Sequence, residues 1–493
     1  MDFDKDLLSI QEARELARAG AEAAKILGEY TEEQIDAIIR NMVRVGEENA
    51  LELAKMAVEE TGFGIVEDKL FKNHMATGML YEDIKDMKTQ GIIAEDKVKR
   101  TVDVAVPVGL IMGIVPSTNP TSTAMFKSII AVKSRNPIVF SPHPSAKKCT
   151  LRAAELMEKA AVEAGAPKGT IGCLKTLSME ATDELMHSKE VKLIIATGGP
   201  GMVKAAYSAG KPAIGVGAGN SPAYIERTAK IKDAVERIMA SKTFDNGTVC
   251  ASEQSIICES CNEEAVIKEF EAQGGYFMSK EETDAVCELL FKNGHAMNPK
   301  FVAKKPQVIA EAAGFSIPGS VRVLIGRQNG VGDGNPLSYE KLTTVLAFYT
   351  VEDWMEACEL SIELLQNGIG HTMSIHTEDP DIAMKFTAKP ASRILVNTGG
   401  TQGGTGVSTG LAPSFTLGCG TMGGSSISEN VGPLHLINKK VLAYGIKDVT
   451  KLADEDEVYQ KYHGSKGCCS DNLNISPEEL KAMISAVIEA MRK

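Results

Sequence analysis

Short apolar runs followed by helical patterns recur through most of the chain, and this alternation limits the folds open to it. The first such runs are residues 110–115, 137–141 and 191–196, and helical patterns cover residues 146–164 and 200–209. Strands buried on both faces are apolar throughout, and the helices between them pack on the two faces of a parallel sheet. The sequence therefore predicts an α/β fold built on a parallel sheet.

The same alternation continues beyond residue 250, which predicts a second α/β lobe. The chain has 493 residues, and single hydrophobic cores stop growing at ~250–300 residues. Residues 398–424 are rich in glycine, as expected of a long loop over a site. The candidate strands of the second lobe are residues 253–258, 321–325, 345–349, 373–376 and 393–397.

The first hundred residues are expected to be mostly helical. Thr31 and Gln34 have the spacing of a capping box, and an apolar run follows them. Val102, Val104 and Val106 then alternate with polar or small residues, which is the period of a strand.

Charge and composition narrow the functional classes. The formal net charge is −12 and no basic stripe offsets it, which argues against a nucleic-acid partner. Every apolar run is short and interrupted by glycine or a charged residue, so no membrane span is predicted. Residues 1–9 are acidic and lack the order of a secretion signal, so we expect a cytoplasmic protein.

The ten cysteines do not predict a metal site or a disulfide framework. A large cytoplasmic chain keeps such thiols reduced. Cys258 and Cys261 have CxxC spacing, but no second pair and no nearby histidine accompany them. Cys468 and Cys469 are adjacent, which suits neither zinc spacing nor an ordinary bridge.

Cys250 is the cysteine whose surroundings favour chemistry. It follows a predicted helix and a polar turn that contains Gly247, and it precedes the predicted strand at 253–258. A lone cysteine is more often a small buried hydrophobic residue, but a thiol on such a connection can face a cleft. Since a thiolate adds readily to a carbonyl carbon, this position suggests a nucleophile.

Residues 244–254, Phe-Asp-Asn-Gly-Thr-Val-Cys-Ala-Ser-Glu-Gln, closely resemble the cysteine motif of the coenzyme-A-acylating aldehyde dehydrogenases. The chain is most similar to the aldehyde dehydrogenase half of the bifunctional aldehyde–alcohol dehydrogenases, from about residue 57 to residue 440. We expect no iron-dependent alcohol dehydrogenase half, because the chain ends soon afterwards. Further shared motifs are residues 116–123, 141–144, 196–204, 215–220 and 417–430.

This resemblance implies an aldehyde dehydrogenase fold with a Rossmann-like cofactor domain, an α/β catalytic domain and a small oligomerisation hairpin. The hairpin near residues 92–107 and a strand near residues 440–445 are expected to make the contacts of a homodimer or larger oligomer. The predicted division is a cofactor-binding domain at 1–240, a catalytic domain at 241–434, a return to the cofactor and oligomerisation region at 435–462, and a linker with a C-terminal amphipathic helix at 463–493.

By the same resemblance, the protein converts a small aldehyde, NAD and coenzyme A to acyl-CoA and NADH, reversibly. Cys250 attacks the aldehyde to give a thiohemiacetal, and hydride transfer to NAD leaves a thioester that coenzyme A attacks. The Asn119 side chain and the backbone N–H of Cys250 form the oxyanion hole. His371 takes the thiol proton or helps to deprotonate the incoming thiol, with a satisfied structural histidine as the alternative.

The matching motifs also imply where NAD binds, and the choice between NAD and NADP stays open. Residues 141–144 resemble the segment that contacts the adenosine, and residues 197–199 precede a helix whose N-terminus favours a phosphate. Glu340 matches the residue that holds the ribose beside the nicotinamide. The predicted cofactor-binding residues are Ser141, Pro142, His143, Pro144, Thr197, Gly198, Gly199, Gly217 and Glu340.

The segment 215–220, Gly-Val-Gly-Ala-Gly-Asn, lacks the glutamate with which carboxylate-forming aldehyde dehydrogenases activate water. No carboxylate stands between Ala213 and Pro222. Hydrolysis of an acyl-enzyme should then be slow, so a thiol acceptor can compete. This favours coenzyme A as the acceptor over a non-acylating reaction.

Acetaldehyde is the expected substrate, and three other small aldehydes stay open: propionaldehyde, succinic semialdehyde and sulfoacetaldehyde. They stay open because Thr344 stands where the family often has proline. Cys419 lies in a glycine-rich setting that resembles the loop near the substrate, where a packing role is favoured over nucleophilic catalysis. A non-catalytic scaffold on this fold is the alternative from another class, and Cys250, Asn119 and Glu340 argue against it.

The last thirty residues carry a separate pattern. Residues 463–474 are polar like a linker, and Ser476, Pro477 and Glu479 predict the start of a helix. The helix either docks on its own protein or is an encapsulation peptide for a bacterial microcompartment shell, as in related aldehyde dehydrogenases. Its apolar face consists of Leu480, Met483, Ile484, Val487, Ile488 and Met491.

Overall fold

The computed structural model describes residues 4–451, 456–463 and 476–490. They form two compact units: the residues up to Gly91 together with Ala105–Lys439, and Ile92–Val104 together with the described residues from Lys440 onward. Residues 464–474 of the predicted linker lie outside the described residues, with Cys468, Cys469 and Met491, and so do the side chains of Val487 and Ile488.

Helices cover most of the first ninety residues, as predicted, and the capping box of Thr31 and Gln34 starts the second of them. A π-helical turn at Met75–Met79 separates the fourth helix from the fifth. The α-helices of the described residues are α1 (Lys5–Leu27), α2 (Glu32–Glu48), α3 (Ala50–Thr61), α4 (Val66–His74), α5 (Leu80–Ile84), α6 (Pro120–Lys133), α7 (Lys147–Glu163), α8 (Met179–His187), α9 (Pro200–Ser208), α10 (Ile231–Thr243), α11 (Glu263–Ala272), α12 (Lys280–Leu290), α13 (Pro306–Ala312), α14 (Trp354–Leu365), α15 (Pro380–Lys385), α16 (Gly400–Gly404), α17 (Glu457–His463) and α18 (Pro477–Ala490).

Every strand predicted from an apolar run is present, with small shifts at its ends. Several very short strands and β8 carried no pattern that the sequence analysis singled out. The strands are β1 (Gly91–Asp96), β2 (Thr101–Pro107), β3 (Ile111–Val115), β4 (Ile138–Pro142), β5 (Ile171–Cys173), β6 (Leu193–Thr197), β7 (Ala213–Val216), β8 (Ser221–Ile225), β9 (Glu253–Glu259), β10 (Gly275–Phe277), β11 (Phe291–Lys292), β12 (Ala296–Met297), β13 (Val323–Arg327), β14 (Val345–Val351), β15 (Gly370–His376), β16 (Ala391–Val396) and β17 (Ile437–Ala443).

Five parallel strands form the first sheet, in the order β5-β4-β3-β6-β7. An apolar cluster on each face buries the sheet against helices. The chain moves outward from β3 to β5 and restarts on the other side at β6, so the strand order reverses between β3 and β6. Ligands bind at the carboxyl end of such a switch point. Asn119, before α6, and Thr197, at the end of β6, lie at this edge.

Seven parallel strands form the second sheet, in the order β10-β13-β14-β9-β8-β15-β16. Strand β8 pairs with both β9 and β15. Because the strands are parallel, the starts of β9 and β15 lie at the same edge. Cys250 precedes β9 and His371 is the second residue of β15, so the topology brings them together. Strand β8 lies before residue 240, so the second sheet includes a strand from the range that the sequence analysis assigned to the cofactor-binding domain.

A separate three-stranded sheet has the order β1-β2-β17. Strands β1 and β2 coincide with the predicted hairpin, and β17 overlaps the strand expected near residues 440–445. The side chains of Val441 and Leu442 in β17 are about half exposed.

The described ranges contain no helix long and apolar enough to cross a membrane. Over the same ranges, no three histidine, cysteine or acidic side chains are grouped so that they could hold a metal ion. Cys258 is buried in β9, whereas Cys261 is exposed after that strand.

Candidate active site

A cavity of about 300 Å³ lies where the carboxyl end of the first sheet faces the amino end of the second. It brings together most of the predicted site residues. A larger cavity of about 560 Å³, lined in part by Leu80 and Leu434, contains none of them. The predicted residues that line the smaller cavity are Asn119, His143, Thr197, Gly198, Gly199, Gly217, Cys250 and Glu340.

Cys250, which lines this cavity, is in direct contact with His371, which is fully buried and does not line the cavity. The Sγ of Cys250 is 3.1 Å from Nε2 of His371, and Nδ1 of His371 is 2.8 Å from Oγ1 of Thr372. The backbone of Gly219 passes close beside them, since a Cβ on this residue would lie 2.1 Å from the carbonyl oxygen of Cys250. The third glycine of the Gly-Val-Gly-Ala-Gly-Asn motif is therefore required by packing against the cysteine.

Burial keeps both members of this pair uncharged. Burial, followed by the Glu340 carboxylate and the Cys419 thiol, raises the pKa of Cys250 to about 12. Burial, followed by the Arg393 guanidinium, lowers the pKa of His371 to about 3. At neutral pH the resting pair is a thiol beside a neutral imidazole, whose lone pair can accept a proton.

Asn119 lies directly before α6, but its side chain does not cap that helix. Its Oδ1 accepts a 2.7 Å hydrogen bond from Nζ of Lys72. Its Nδ2 is 3.2 Å from Oγ1 of Thr118 and 3.5 Å from the carbonyl oxygen of Thr248. The amide therefore lines the cavity with one of its two N–H groups only weakly engaged, the one that faces Thr248 at 3.5 Å.

Glu340 places a carboxyl group on the cavity wall beside the glycine motif. Its Oε1 accepts a 3.1 Å hydrogen bond from the backbone N–H of Gly219, and burial raises its pKa to about 7. Thr343 and Thr344 are buried, and both hydroxyls donate to the carbonyl oxygen of Lys304. Hydrogen bonds thus hold the turn where the family often has proline.

The residues predicted to bind the cofactor line one side of the cavity or adjoin it. Gly198 and Gly199 precede α9, and a Cβ on either would meet no atom closer than 4.0 Å, so their backbone is open to a ligand. His143 is exposed at the cavity, and its Nδ1 accepts from the backbone N–H of Ser145. The Ser141 hydroxyl is buried against Thr182, and Pro142 and Pro144 flank His143 without lining the cavity. An open glycine backbone at a helix N-terminus fits a dinucleotide phosphate.

Arg393, which the sequence analysis missed, lines the larger cavity and contacts the backbone of His371. It is buried in β16, and its Nη1 donates to the carbonyl oxygen of His371 at 3.1 Å. Its Nη2 donates to the carbonyl oxygen of Gly418 at 2.7 Å, so one side chain ties β15 to the glycine-rich loop. Cys419 in this loop is buried, with its Sγ 3.6 Å from the carbonyl oxygen of Leu417.

Lys72 and Asp245 were also missed. Lys72 is fully buried in α4, and its contact with Asn119 joins residues far apart in the sequence. Asp245 lies within the cysteine motif, where an acidic residue before Asn-Gly reads as an ordinary turn residue. A buried lysine has no local sequence pattern, so only the motif position of Asp245 could have drawn notice.

Comparison with known proteins places the chain among enzymes with this architecture. The model of the aldehyde dehydrogenase family matches residues 7–278. The chain is 48% identical, over 442 residues, to a bifunctional aldehyde-alcohol dehydrogenase of Escherichia coli K12, covering 88% of this chain and 50% of that protein. It thus spans about half the length of the curated bifunctional relatives it matches.

Two solved structures match over almost their whole length. An acetylating aldehyde dehydrogenase from Geobacillus thermoglucosidasius has a TM-score of 0.88 and 51% identity, covering 90% of this chain and 99% of that one. A propionaldehyde dehydrogenase from the fucose utilisation microcompartment of Clostridium phytofermentans has a TM-score of 0.80 and 25% identity, covering 89% and 98%. Together with the two parallel sheets and the cysteine at the cleft between them, these matches mean that the chain belongs to the aldehyde dehydrogenase family.

Proposed function

We propose that this protein oxidises a small aldehyde with NAD and transfers the acyl group to coenzyme A, and that the reaction also runs in reverse. The observation that carries the proposal is the 3.1 Å contact between Cys250 and His371 beside a glycine motif without a carboxylate. Such a site can form an acyl-enzyme but lacks the usual base for water at that position.

The first step is addition of Cys250 Sγ to the aldehyde carbon. His371 Nε2 takes the thiol proton, since its lone pair is free at neutral pH. The negative charge that develops on the aldehyde oxygen is stabilised by Asn119 Nδ2 and the backbone N–H of Cys250. NAD, when bound, would accept the hydride, and Glu340 on the cavity wall would hold its ribose.

Acyl transfer then uses the same two side chains. After hydride loss the acyl group is a thioester on Cys250, and the proton that His371 took in the first step leaves to solvent as the one proton that the overall reaction releases. The neutral imidazole then removes the proton from the thiol of coenzyme A. The new sulfur–carbon bond forms as the bond to Cys250 breaks, and the departing thiolate is protonated again by His371. Glu340 is the one carboxylate among the described lining residues, and its Oε1 accepts from the backbone N–H of Gly219; we assign it to the ribose of NAD and not to water.

The cavity favours a small uncharged aldehyde, and we propose acetaldehyde. Along the described chain, no lysine or arginine lines it, so an anionic substrate such as succinic semialdehyde or sulfoacetaldehyde would find no cation there. Its apolar walls include Val249, Leu342 and Phe415. Propionaldehyde differs by one methylene and stays the nearest rival, because one methylene changes discrimination by only ~1–3 kcal/mol.

The test is NADH formation from acetaldehyde and NAD, with and without coenzyme A, in wild type, Cys250→Ala and Cys419→Ala. We expect turnover that requires coenzyme A, is lost in Cys250→Ala and persists in Cys419→Ala, whose buried thiol contacts a loop carbonyl instead of His371. Equal turnover without coenzyme A would mean that water is the acceptor. No turnover with any aldehyde, together with no nucleotide binding, would favour a scaffold.

For the oligomer, we propose a homodimer or larger assembly, cytoplasmic, whose contacts include the β1-β2-β17 sheet. The half-exposed side chains of Val441 and Leu442, with Tyr444 beyond them, support this because apolar exposure of this kind suits an interface. Val441→Asp with Leu442→Asp should reduce the assembly, measured by light scattering, while an unchanged mass would exclude β17.

For the C-terminal helix, we propose docking to a microcompartment shell. Ser476 and Glu479 form the predicted cap, with Glu479 N donating to Ser476 Oγ and Ser476 N to the Glu479 carboxylate. Leu480, Met483 and Ile484 are 51%, 60% and 52% exposed, so this apolar face is available to a partner. Deleting residues 470–493 should abolish packaging with shell protein, and unchanged packaging would remove the proposal.

A further inference from the structure

A buried lysine stands behind the predicted oxyanion amide. Nζ of Lys72 donates to Oδ1 of Asn119 at 2.7 Å, to Oγ1 of Thr248 at 2.9 Å and to Oδ2 of Asp245 at 2.5 Å. Lys72, Thr248 and Asp245 are almost completely excluded from solvent. All three hydrogens of the ammonium group are therefore used, and no water competes for them.

These contacts decide which way the amide of Asn119 points. An ammonium group only donates hydrogen bonds. The amide must therefore present its oxygen, and not its NH₂ group, to Lys72. With Oδ1 held by Lys72, Nδ2 must lie on the other side. Its partners there are Oγ1 of Thr118 and the carbonyl oxygen of Thr248, the latter at the long distance of 3.5 Å. An N–H so weakly engaged is free to bind a developing oxyanion.

Asp245 holds the lysine in place. Its Oδ2 accepts from Lys72, from Lys69 at 2.9 Å and from the Thr248 hydroxyl at 2.7 Å. Its backbone adopts the left-handed region, with φ of 49°, in the turn that leads to Cys250. The carboxylate that anchors Lys72 is thus built into the segment that carries the nucleophile.

We propose that Lys72 is a positioning residue that fixes the amide of Asn119 with its N–H toward the aldehyde oxygen. The inference rests on the proposed function, because it deepens the role given there to Asn119. Lys72 itself does not line the cavity and acts through Asn119.

Lys69 provides a matched control in the same helix. It is buried, pairs with the same Oδ2 of Asp245 and donates to the carbonyl oxygen of Thr118 at 3.0 Å. It does not contact the side chain of Asn119. Replacing either lysine removes one buried cation from Asp245, but only replacement of Lys72 releases the amide.

The experiment compares Lys72→Met, Lys69→Met, Asn119→Ala and the double variant Lys72→Met/Asn119→Ala. Three quantities are measured: kcat/KM for NADH formation from acetaldehyde, thermal unfolding, and alkylation of Cys250 by iodoacetamide. Loss of one oxyanion donor lowers the rate by about 10²–10³-fold, and we expect this for Asn119→Ala. For Lys72→Met we expect kcat/KM to fall by at least about tenfold. The double variant should lose no more than Asn119→Ala alone, because residues that act as a unit are non-additive.

Alkylation separates positioning from a general loss of structure. It forms no oxyanion, so its rate should change less than about threefold in Lys72→Met. If Lys72→Met does not fold, Lys72→Gln replaces it, since a glutamine can offer Asn119 either its oxygen or its NH₂ and so no longer enforces one orientation. We then expect a smaller loss that again vanishes in the Asn119→Ala background.

Two results would overturn the inference: equal loss in Lys69→Met and Lys72→Met, or losses that multiply in the double variant. NADH formation that does not need coenzyme A would refute the acylating reaction alone, because the oxyanion forms before the acceptor enters. If no aldehyde gives NADH, both the acylating reaction and the positioning role of Lys72 are refuted.

Discussion

At the scale of single residues, Cys250 and His371 form a pair that burial keeps neutral. The same loss of water raises the pKa of the thiol to about 12 and lowers the pKa of the imidazole to about 3. A preformed thiolate–imidazolium pair would need a lowered thiol pKa and a raised imidazole pKa, the opposite of both shifts. The thiol must therefore be activated during attack, with His371 as proton acceptor, rather than stored as a thiolate.

This neutral pair predicts how Cys250 reacts with iodoacetamide in the absence of substrate. Because the thiolate fraction grows with pH below the thiol pKa, the alkylation rate should rise by about tenfold per pH unit between about pH 7 and pH 10. His371→Ala should keep that slope, since a neutral histidine contributes no charge. A rate that levels off below about pH 8 would indicate an ion pair and contradict the prediction.

Gly219 gives a second prediction at this scale. A methyl group there would lie 2.1 Å from the carbonyl oxygen of Cys250 and 3.3 Å from Cγ of His371, so one of them must move. Gly219→Ala should lower kcat by about 10²-fold or more, the loss expected when a reacting group is misplaced by ~1 Å. Gly319→Ala, where the methyl group would meet nothing within 4 Å, serves as the control. Near-wild-type kcat in Gly219→Ala would contradict the close contact.

The sequence predicted residues by motif and missed those defined by packing. Cys250 was predicted from its position before a strand and then by resemblance, and Asn119 and Glu340 by resemblance alone. The structure brings all three to one cavity, and their roles stay predictions. Lys72 and Arg393 carry no motif, because their contacts join elements far apart in the chain. From the sequence alone, a lysine in a helix is expected to be exposed to solvent, because lysines are rarely buried.

At the scale of elements, the alternation of apolar runs and helical patterns predicted most strands because parallel sheets bury both faces of each strand. Strand order was out of reach, since it depends on which strands meet across helices. The sequence analysis predicted a turn before Cys250 but not its backbone conformation, in which Asp245, Asn246 and Gly247 have positive φ in succession. Only the glycine among them signals such a backbone.

Helix α6 yields a prediction about stability and pH. Lys127 in this helix is buried without a carboxylate and donates to the carbonyl oxygens of Ile114 and Ile195, so burial lowers its pKa to about 7. The unfolded lysine keeps its usual pKa, so unfolding takes up a proton between the two values. Raising the pH through this window therefore disfavours unfolding, by at most roughly 1.4 kcal/mol per pH unit.

Thermal unfolding across pH 7 to 10 checks this sign. The Tm of wild type should rise relative to that of Lys127→Met as the pH increases, because the methionine variant lacks the proton uptake. The control is Lys133→Met in the same helix, which loses an ion pair with Asp36 of α2. Its Tm should still rise relative to that of Lys127→Met, because Lys127 is intact. Parallel Tm curves for wild type and Lys127→Met would show that Lys127 stays charged when buried.

At the scale of the whole molecule, the described residues divide into two units of very different size. The larger unit contains both parallel sheets and every predicted site residue. The smaller unit contains the hairpin turn and the C-terminal helix α18. The predicted site residues and the terminal helix thus belong to different units, so a truncation can remove the helix and leave the site residues in place.

A chain ending at residue 463 tests whether α18 stabilises its own protein. Full burial of an apolar side chain contributes ~1.5–3 kcal/mol, so a docked helix with three such anchors would add several kcal/mol. Leu480, Met483 and Ile484 are instead 51%, 60% and 52% exposed. Truncation should therefore leave kcat and Tm unchanged, and Leu480→Asp with Ile484→Asp in the full chain should do the same. A clear fall in Tm on truncation, with a matching fall in the aspartate variant, would mean that the helix docks on its own protein and that its apolar face is not kept for a partner.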